Sequence, residues 1–111
     1  MGLFDYMSMA NTYEQRKVDN TTANEVEIDT CSVTDSTQPF ETAICSKHYN
    51  SGNWIVVEQY DTKKDAQLGH DKWVKTFTES LPKSVEDVST CEIMRVIDLF
   101  SDKARTFKKQ E

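Results

Sequence analysis

FETAICSKHYNSGNWIVVEQYDTKKDAQLGHDKWVKTFTESL, residues 40–81, is the stretch whose reading decides the fold. It begins with two apolar, β-prone runs, residues 40–49 and 53–60, separated by Asn50-Ser51-Gly52. In that turn cluster Gly52, and less readily Asn50, takes the positive φ that a short hairpin loop needs. After the second run, Thr62 with Asp65 three residues on fits a helical capping box, with Asp61 as the competing cap. Ala66, His70, Trp73, Phe77 and Leu81 then recur at helical spacing on one stripe flanked by Val74, while Lys64, Asp71 and Lys75 fall opposite. The stretch predicts a β-hairpin followed by a helix, from about Thr62 to Leu81, that packs back onto it. Gly69 beside the stripe costs about 1 kcal/mol of helix propensity against alanine, and close approach of the helix to the sheet is the expected compensation. Pro82, with no N–H to donate and a restricted predecessor, ends the helix.

N-terminal to the hairpin, EVEIDTCSVTDS places Val26 and Ile28 opposite Glu25, Glu27 and Asp29, then changes phase so that Cys31 and Val33 fall on the other parity. A bulge near Thr30 would keep one buried face; otherwise the far end of the strand is covered on both sides. With the hairpin this strand makes a three-stranded antiparallel sheet whose acidic side chains repeat along an outward face, an arrangement suited to an edge. Residues 12–24 are polar and without a steady period, and read as a loop. Beyond Pro82, Ser89 with Glu92 forms a second capping box, and Ile93, Val96, Ile97, Phe100, Ala104 and Phe107 follow as an amphipathic stripe. That predicts a helix from about Thr90 to about Lys108; Ser84 with Asp87 offers an earlier start for it. The expected class is α+β: a three-stranded antiparallel sheet with a packed helix and a C-terminal amphipathic helix. A single domain, 1–111, would comprise an apolar arm (1–11), a strand, hairpin and helix core (25–81) and the C-terminal helix (89–108).

A chain of 111 residues suits one compact domain. No apolar run reaches transmembrane length, and MGLFDYMSMAN carries Asp5 where a signal peptide would carry Lys or Arg, so a soluble, unprocessed protein is expected. The three cysteines, Cys31, Cys45 and Cys91, are odd in number and share no CxxC spacing, which argues against a disulfide framework and a zinc site and for a reducing cytosol. Asn20-Thr21-Thr22 matches a glycosylation sequon, most simply a polar loop without a secretion signal. The net charge of −6 is concentrated. Asp19, Glu25, Glu27, Asp29, Asp35 and Glu41 lie in a stretch, residues 18–46, without Lys or Arg, whereas the other thirteen acidic residues are balanced by all thirteen Lys and Arg. Lys103, Arg105, Lys108 and Lys109 form a basic tail.

Residues that carry chemistry are sparse. His48, His70 and the cysteines lack metal-ligand spacing, and none of the three glycines lies in a phosphate-cradling loop. No metal or other cofactor is therefore expected. A nucleophile pair, Cys45 with His48 or Cys91 with His70, stays open because such partners meet in space rather than in sequence. His70 on the apolar stripe reads as a hydrogen-bonded histidine at the helix–sheet border, and Trp54 and Trp73 read as core. Glu58 and Asp61 flank a strand end. Candidate partner-binding residues are the acidic Glu25, Glu27, Asp29 and Asp35 together with the apolar arm residues Leu3, Phe4, Tyr6 and Met7, although the arm equally suits docking on the protein's own core.

FETAI, GNWIVVEQYDT and DAQLGHDKWV, spanning residues 40–74, with a weaker echo in VDN at residues 18–20, resemble a group of small proteins encoded by bacteriophages. The resemblance implies a phage gene product made in the host bacterial cytoplasm, and no activity transfers with it. The arm and the C-terminal helix lie outside the matching stretch. The expected function is that of a non-enzymatic accessory protein that binds and inhibits a host protein with a basic surface, such as a nucleic-acid-binding or defence protein, with neither nucleic acid nor membrane as a direct partner. Alternate carboxylates on a strand stand about 7 Å apart, twice its ~3.3 Å rise, close to the spacing of successive phosphates, so Glu25, Glu27 and Asp29 are candidates to stand in for a nucleic-acid strand. The alternatives are a virion component that oligomerises through the arm and a small enzyme with a Cys–His site.

Overall fold

A computed structural model describes residues 15–34, 37–89 and 106–110. Among these residues four strands, β1 (Lys17–Ala23), β2 (Val26–Ser32), β3 (Phe40–Cys45) and β4 (Ile55–Tyr60), form an antiparallel sheet in the order β1-β2-β3-β4. One helix, α1 (Lys63–Glu79), lies across it, and β5 (Ser84–Glu86) pairs with β6 (Thr106–Lys108) in a small second sheet. The fold is α+β, with one more strand in the main sheet than its sequence predicts.

The hairpin that anchors the prediction is present, with Phe40 opposite Tyr60 and Ile44 opposite Ile55. Its tip carries three successive left-handed residues, Asn50 (φ 49°), Ser51 (φ 53°) and Gly52 (φ 83°). The added strand β1 falls in the segment read as a loop. It joins β2 through Asn24 (φ 52°) and Glu25 (φ 67°), with Ala23 opposite Val26. Positive φ at both central residues is the two-residue turn whose twist matches a hairpin. KVDNTTA escapes a search for apolar alternation because its inward residues Asp19 and Thr21 meet α1 through hydrogen bonds: Gln67 donates to Asp19, and Thr21 bonds His70.

Two expectations about β2 are corrected with it. The acidic strand is interior, paired with β1 on one side and β3 on the other, so it is not an edge. It also needs no bulge at Thr30: Val26, Ile28 and Thr30 are all fully buried, and pairing to β3 runs unbroken from Glu27 to Ser32. The irregularity at that end lies on β1, between Lys17 and Asp19. A threonine continues the buried face because its hydroxyl is satisfied there, while Cys31 turns to the other side.

Helix α1 starts at Thr62, whose side chain accepts from the Asp65 N–H at 3.1 Å, and stops at Ser80, ahead of Pro82. Ala66, Gly69, His70 and Phe77 are buried on its inner face, with Trp73 and Val74 half-buried beside them. A Cβ at Gly69 would overlap the Tyr60 hydroxyl and ring edge, so glycine permits the close approach expected of it. Val26, Ile28, Ile44, Tyr49, Ile55, Val57, Phe77 and Val85 form the core. Phe77 stacks on Trp73 and meets Tyr49 edge-on. Trp54, expected in the core, is 49% exposed, because Ile55 takes the inward position at the start of β4.

At its described end, Thr106–Lys108, the expected C-terminal helix is replaced by strand β6; residues 90–105 of that expectation, the arm 1–11 and Asp35 lie outside the described residues. The earlier helical start fails too, since Ser84–Glu86 is β5. Thr106-Phe107-Lys108 fits a strand as well as the end of a helical stripe: Phe107 pairs with Val85 and packs on the core, while its two neighbours are exposed. Val88 and Val56 share a backbone hydrogen bond, and the Tyr49 hydroxyl donates to the Pro82 carbonyl, fastening this segment to the hairpin.

Candidate functional site

Period-two alternation divides the sheet into a face under α1 and a face away from it. Val26, Ile28 and Thr30 of β2 face the helix, so Glu27, Asp29 and Cys31 face away. Register places Ala43 opposite Asp29 and Glu41 opposite Cys31, which adds a third carboxylate, Glu41 of β3, to the same side. From β1, the Asn20 amide donates to Glu27 at 3.1 Å and to Asp29 at 2.9 Å. One side chain thus holds two carboxylates close together. Small residues, Ala43 and the two cysteines Cys31 and Cys45, separate the acidic positions. Burial, with Asp29 and Glu41 adding negative charge nearby, pushes the Cys31 thiol up to about 11, which keeps it protonated and a poor nucleophile at neutral pH.

Glu25 does not belong to this row. It occupies the β1–β2 turn, where Lys47 reaches it at 3.1 Å and His48 Nε2 at 3.2 Å. Hydrogen bonds from Lys47 and then His48 hold its carboxyl below the usual range. His48 Nδ1 lies 3.3 Å from the Gln110 carbonyl, so this node ties the two hairpin tips to the segment after β6. It also bears on the Cys45–His48 pairing, because the Cys45 thiol donates instead to the Gly52 carbonyl. Cys91, and with it the pairing to His70, lies outside the described residues. Glu41 was missed in sequence because it belongs to a different strand from Glu27 and Asp29, and only strand register makes them neighbours.

A second polar assembly, which the sequence showed only through His70, crosses the interface beneath α1. His70, fully buried, places Nδ1 2.7 Å from the Thr30 hydroxyl and Nε2 3.0 Å from that of Thr21. Thr30 and Thr42, both fully buried, lie 2.6 Å apart, and Thr42 is 3.0 Å from the Tyr60 hydroxyl. Tyr60 donates to Glu58 Oε1 at 3.1 Å. The same oxygen receives Lys72 Nζ at 2.6 Å and the Trp73 indole N–H at 2.8 Å. Burial works to raise the Glu58 carboxyl, but the bonds from Lys72, Trp73 and Tyr60 outweigh it and hold it below the ordinary value. Burial raises the Tyr60 hydroxyl well above its usual range. Glu58 and Tyr60 line an open cleft of about 390 Å³ between α1 and β4, together with Asp61, Asp65, Leu68 and Lys72.

Among the described residues no group of three or more His, Cys, Asp and Glu side chains is placed to hold a metal ion, and no helix is long and apolar enough to cross a membrane. Comparison with protein families, with curated proteins and with solved structures finds no match.

Proposed function

We propose that this chain is a non-catalytic binding protein that presents the helix-free face of its sheet to a basic surface on a partner. The observation that carries the reading is the convergence of Glu27, Asp29 and Glu41 on that face, two of them drawn together by Asn20. An excess of negative charge, here offset in part by Arg16 near Cys31, speeds encounter with an oppositely charged surface and weakens in effect as salt rises. A groove built to neutralise phosphates is the surface such a row complements. With the resemblance of residues 40–74 to phage-encoded proteins, this supports a phage accessory protein that blocks a nucleic-acid-binding or defence protein in the host cytoplasm. Glu41 takes the place of Glu25 in the proposed contact because strand register sets it on this face, whereas Glu25 lies in the β1–β2 turn beside Lys47 and His48.

The test is capture from infected cells at low and high salt, with mass spectrometry of the bound proteins and of purified particles. The wild-type chain should retain a host protein with a basic surface, and the combined Glu27→Gln, Asp29→Asn and Glu41→Gln variant should lose it. Equal capture by both chains would overturn the reading. Recovery of the chain in particles, with no host protein bound, would assign it to the virion.

A further inference from the structure

The assembly beneath α1 is a single row of hydrogen bonds, and chemistry at its outer end fixes the direction of every bond in it. An ionised carboxylate only accepts, whereas each hydroxyl has one proton to give. Tyr60, 3.1 Å from Glu58, spends its proton there. The Thr42 hydroxyl must then donate to Tyr60 across 3.0 Å, and Thr30 to Thr42 across 2.6 Å, since the opposite sense would leave two buried oxygens in contact with no proton between them. The Thr30 oxygen is left to accept from His70 Nδ1 at 2.7 Å. The imidazole therefore carries its proton on Nδ1, and Nε2 offers a lone pair to the Thr21 hydroxyl at 3.0 Å.

We propose that this row is a polarity relay: the ionised state of Glu58, at the cleft, sets which nitrogen of the buried His70 bears the proton and hence what His70 presents to β1. The charged and titratable groups around it are few. On β1, Asp19 Oδ2 lies 3.7 Å from Nε2 and is held by Gln67 of α1, which also bonds Asp71. On β2 and β3 the row runs through the hydroxyls of Thr30 and Thr42. On β4 stand Tyr60 and Glu58, and on α1 Lys72 and Trp73 meet Glu58 from above. When Glu58 takes up a proton it gains an O–H to give, and the charge that orders the row is lost. The row then reverses: Thr30 donates to Nδ1, the proton sits on Nε2, and His70 donates towards Thr21 and the Asp19 carboxylate. The change needs only hydroxyl rotation and a proton shift, so it transmits the state of the cleft to β1 without repacking the core.

The experiment is long-range ¹H–¹⁵N NMR of the His70 ring in the full chain at neutral pH, with His48 assigned by a His48→Gln control. The wild-type protein should show a protonated Nδ1 and an unprotonated Nε2. Tyr60→Phe keeps the ring that packs on Gly69 but removes the acceptor for Thr42, and should move the protonated signal from Nδ1 to Nε2. Glu58→Met, which removes the ordering charge from the other side, should shift it the same way, while Lys72→Met leaves the carboxylate in place and should preserve the wild-type pattern. A wild-type ring protonated on Nε2 or on both nitrogens would overturn the proposal. So would Tyr60→Phe and Glu58→Met variants, folded by their amide spectra, that keep the wild-type pattern. If both lose the fold, Thr42→Val breaks the row at its centre and is read by the same criterion.

Discussion

Thr30, Thr42 and His70 occupy interior positions where an apolar side chain would ordinarily sit, and their hydrogen bonds are what make the substitution tolerable. Replacing Thr30 by Val preserves shape but strips partners from His70 and Thr42, and an unsatisfied buried polar group costs about 1–3 kcal/mol. Urea unfolding should register a loss of that size. Glu58 adds a dependence on pH. Its carboxyl lies below the ordinary glutamate value of 4.5 in the folded protein, so the folded state binds fewer protons than the unfolded one in that range. Its stabilisation is complete above 4.5 and is lost as pH falls through the lowered folded value. Asp19 and Glu25 are lowered as well and act with the same sign. Unfolding midpoints should therefore fall on acidification below pH 4.5, and Glu58→Gln should flatten part of that decline. His70 was readable as a bonded border residue from its place on the stripe, but its partners Thr21 and Thr30, and Thr42 behind Thr30, were not, because hydroxyls distributed over three strands leave no spacing signal in the chain.

At the scale of elements, the hairpin and α1 were legible because turn, cap and stripe agree over one contiguous stretch. Thr62→Ala removes the acceptor for the Asp65 N–H and should cost about 1 kcal/mol. Phe77→Ala empties a fully buried site between Tyr49 and Trp73 and should cost about 3–5 kcal/mol. Thermal or urea unfolding of the two variants should preserve that order. Strand β1 and strand β6 were not legible, for different reasons. β1 faces the helix with Asp19 and Thr21, so its contacts leave no hydrophobic period. β6 is three residues long, too short for period two to be told from a helical stripe through Phe107. Gly69 shows the opposite case, a local penalty in helix propensity that pointed correctly to a close contact. Gly69→Ala should destabilise the protein despite alanine's better propensity, because the new methyl group overlaps Tyr60.

For the whole molecule, concentration of negative charge in residues 18–46 was visible in the sequence, but its geometry was not. Pairing redistributes it: Glu25 goes to the hairpin tips, Asp19 to the helix, and Glu27, Asp29 and Glu41 to the far face of the sheet. The face proposed to bind thus takes residues from two strands and is set by register rather than by a run of sequence. The claim that it replaces nucleic acid is tested most directly by competition. The captured partner is loaded with labelled nucleic acid, and the release of the label is measured as the chain is added at low salt. The account predicts stoichiometric release that diminishes as salt rises and is lost in the Glu27→Gln, Asp29→Asn and Glu41→Gln variant. A ternary complex that keeps the nucleic acid bound, or equal release by the variant, would contradict it.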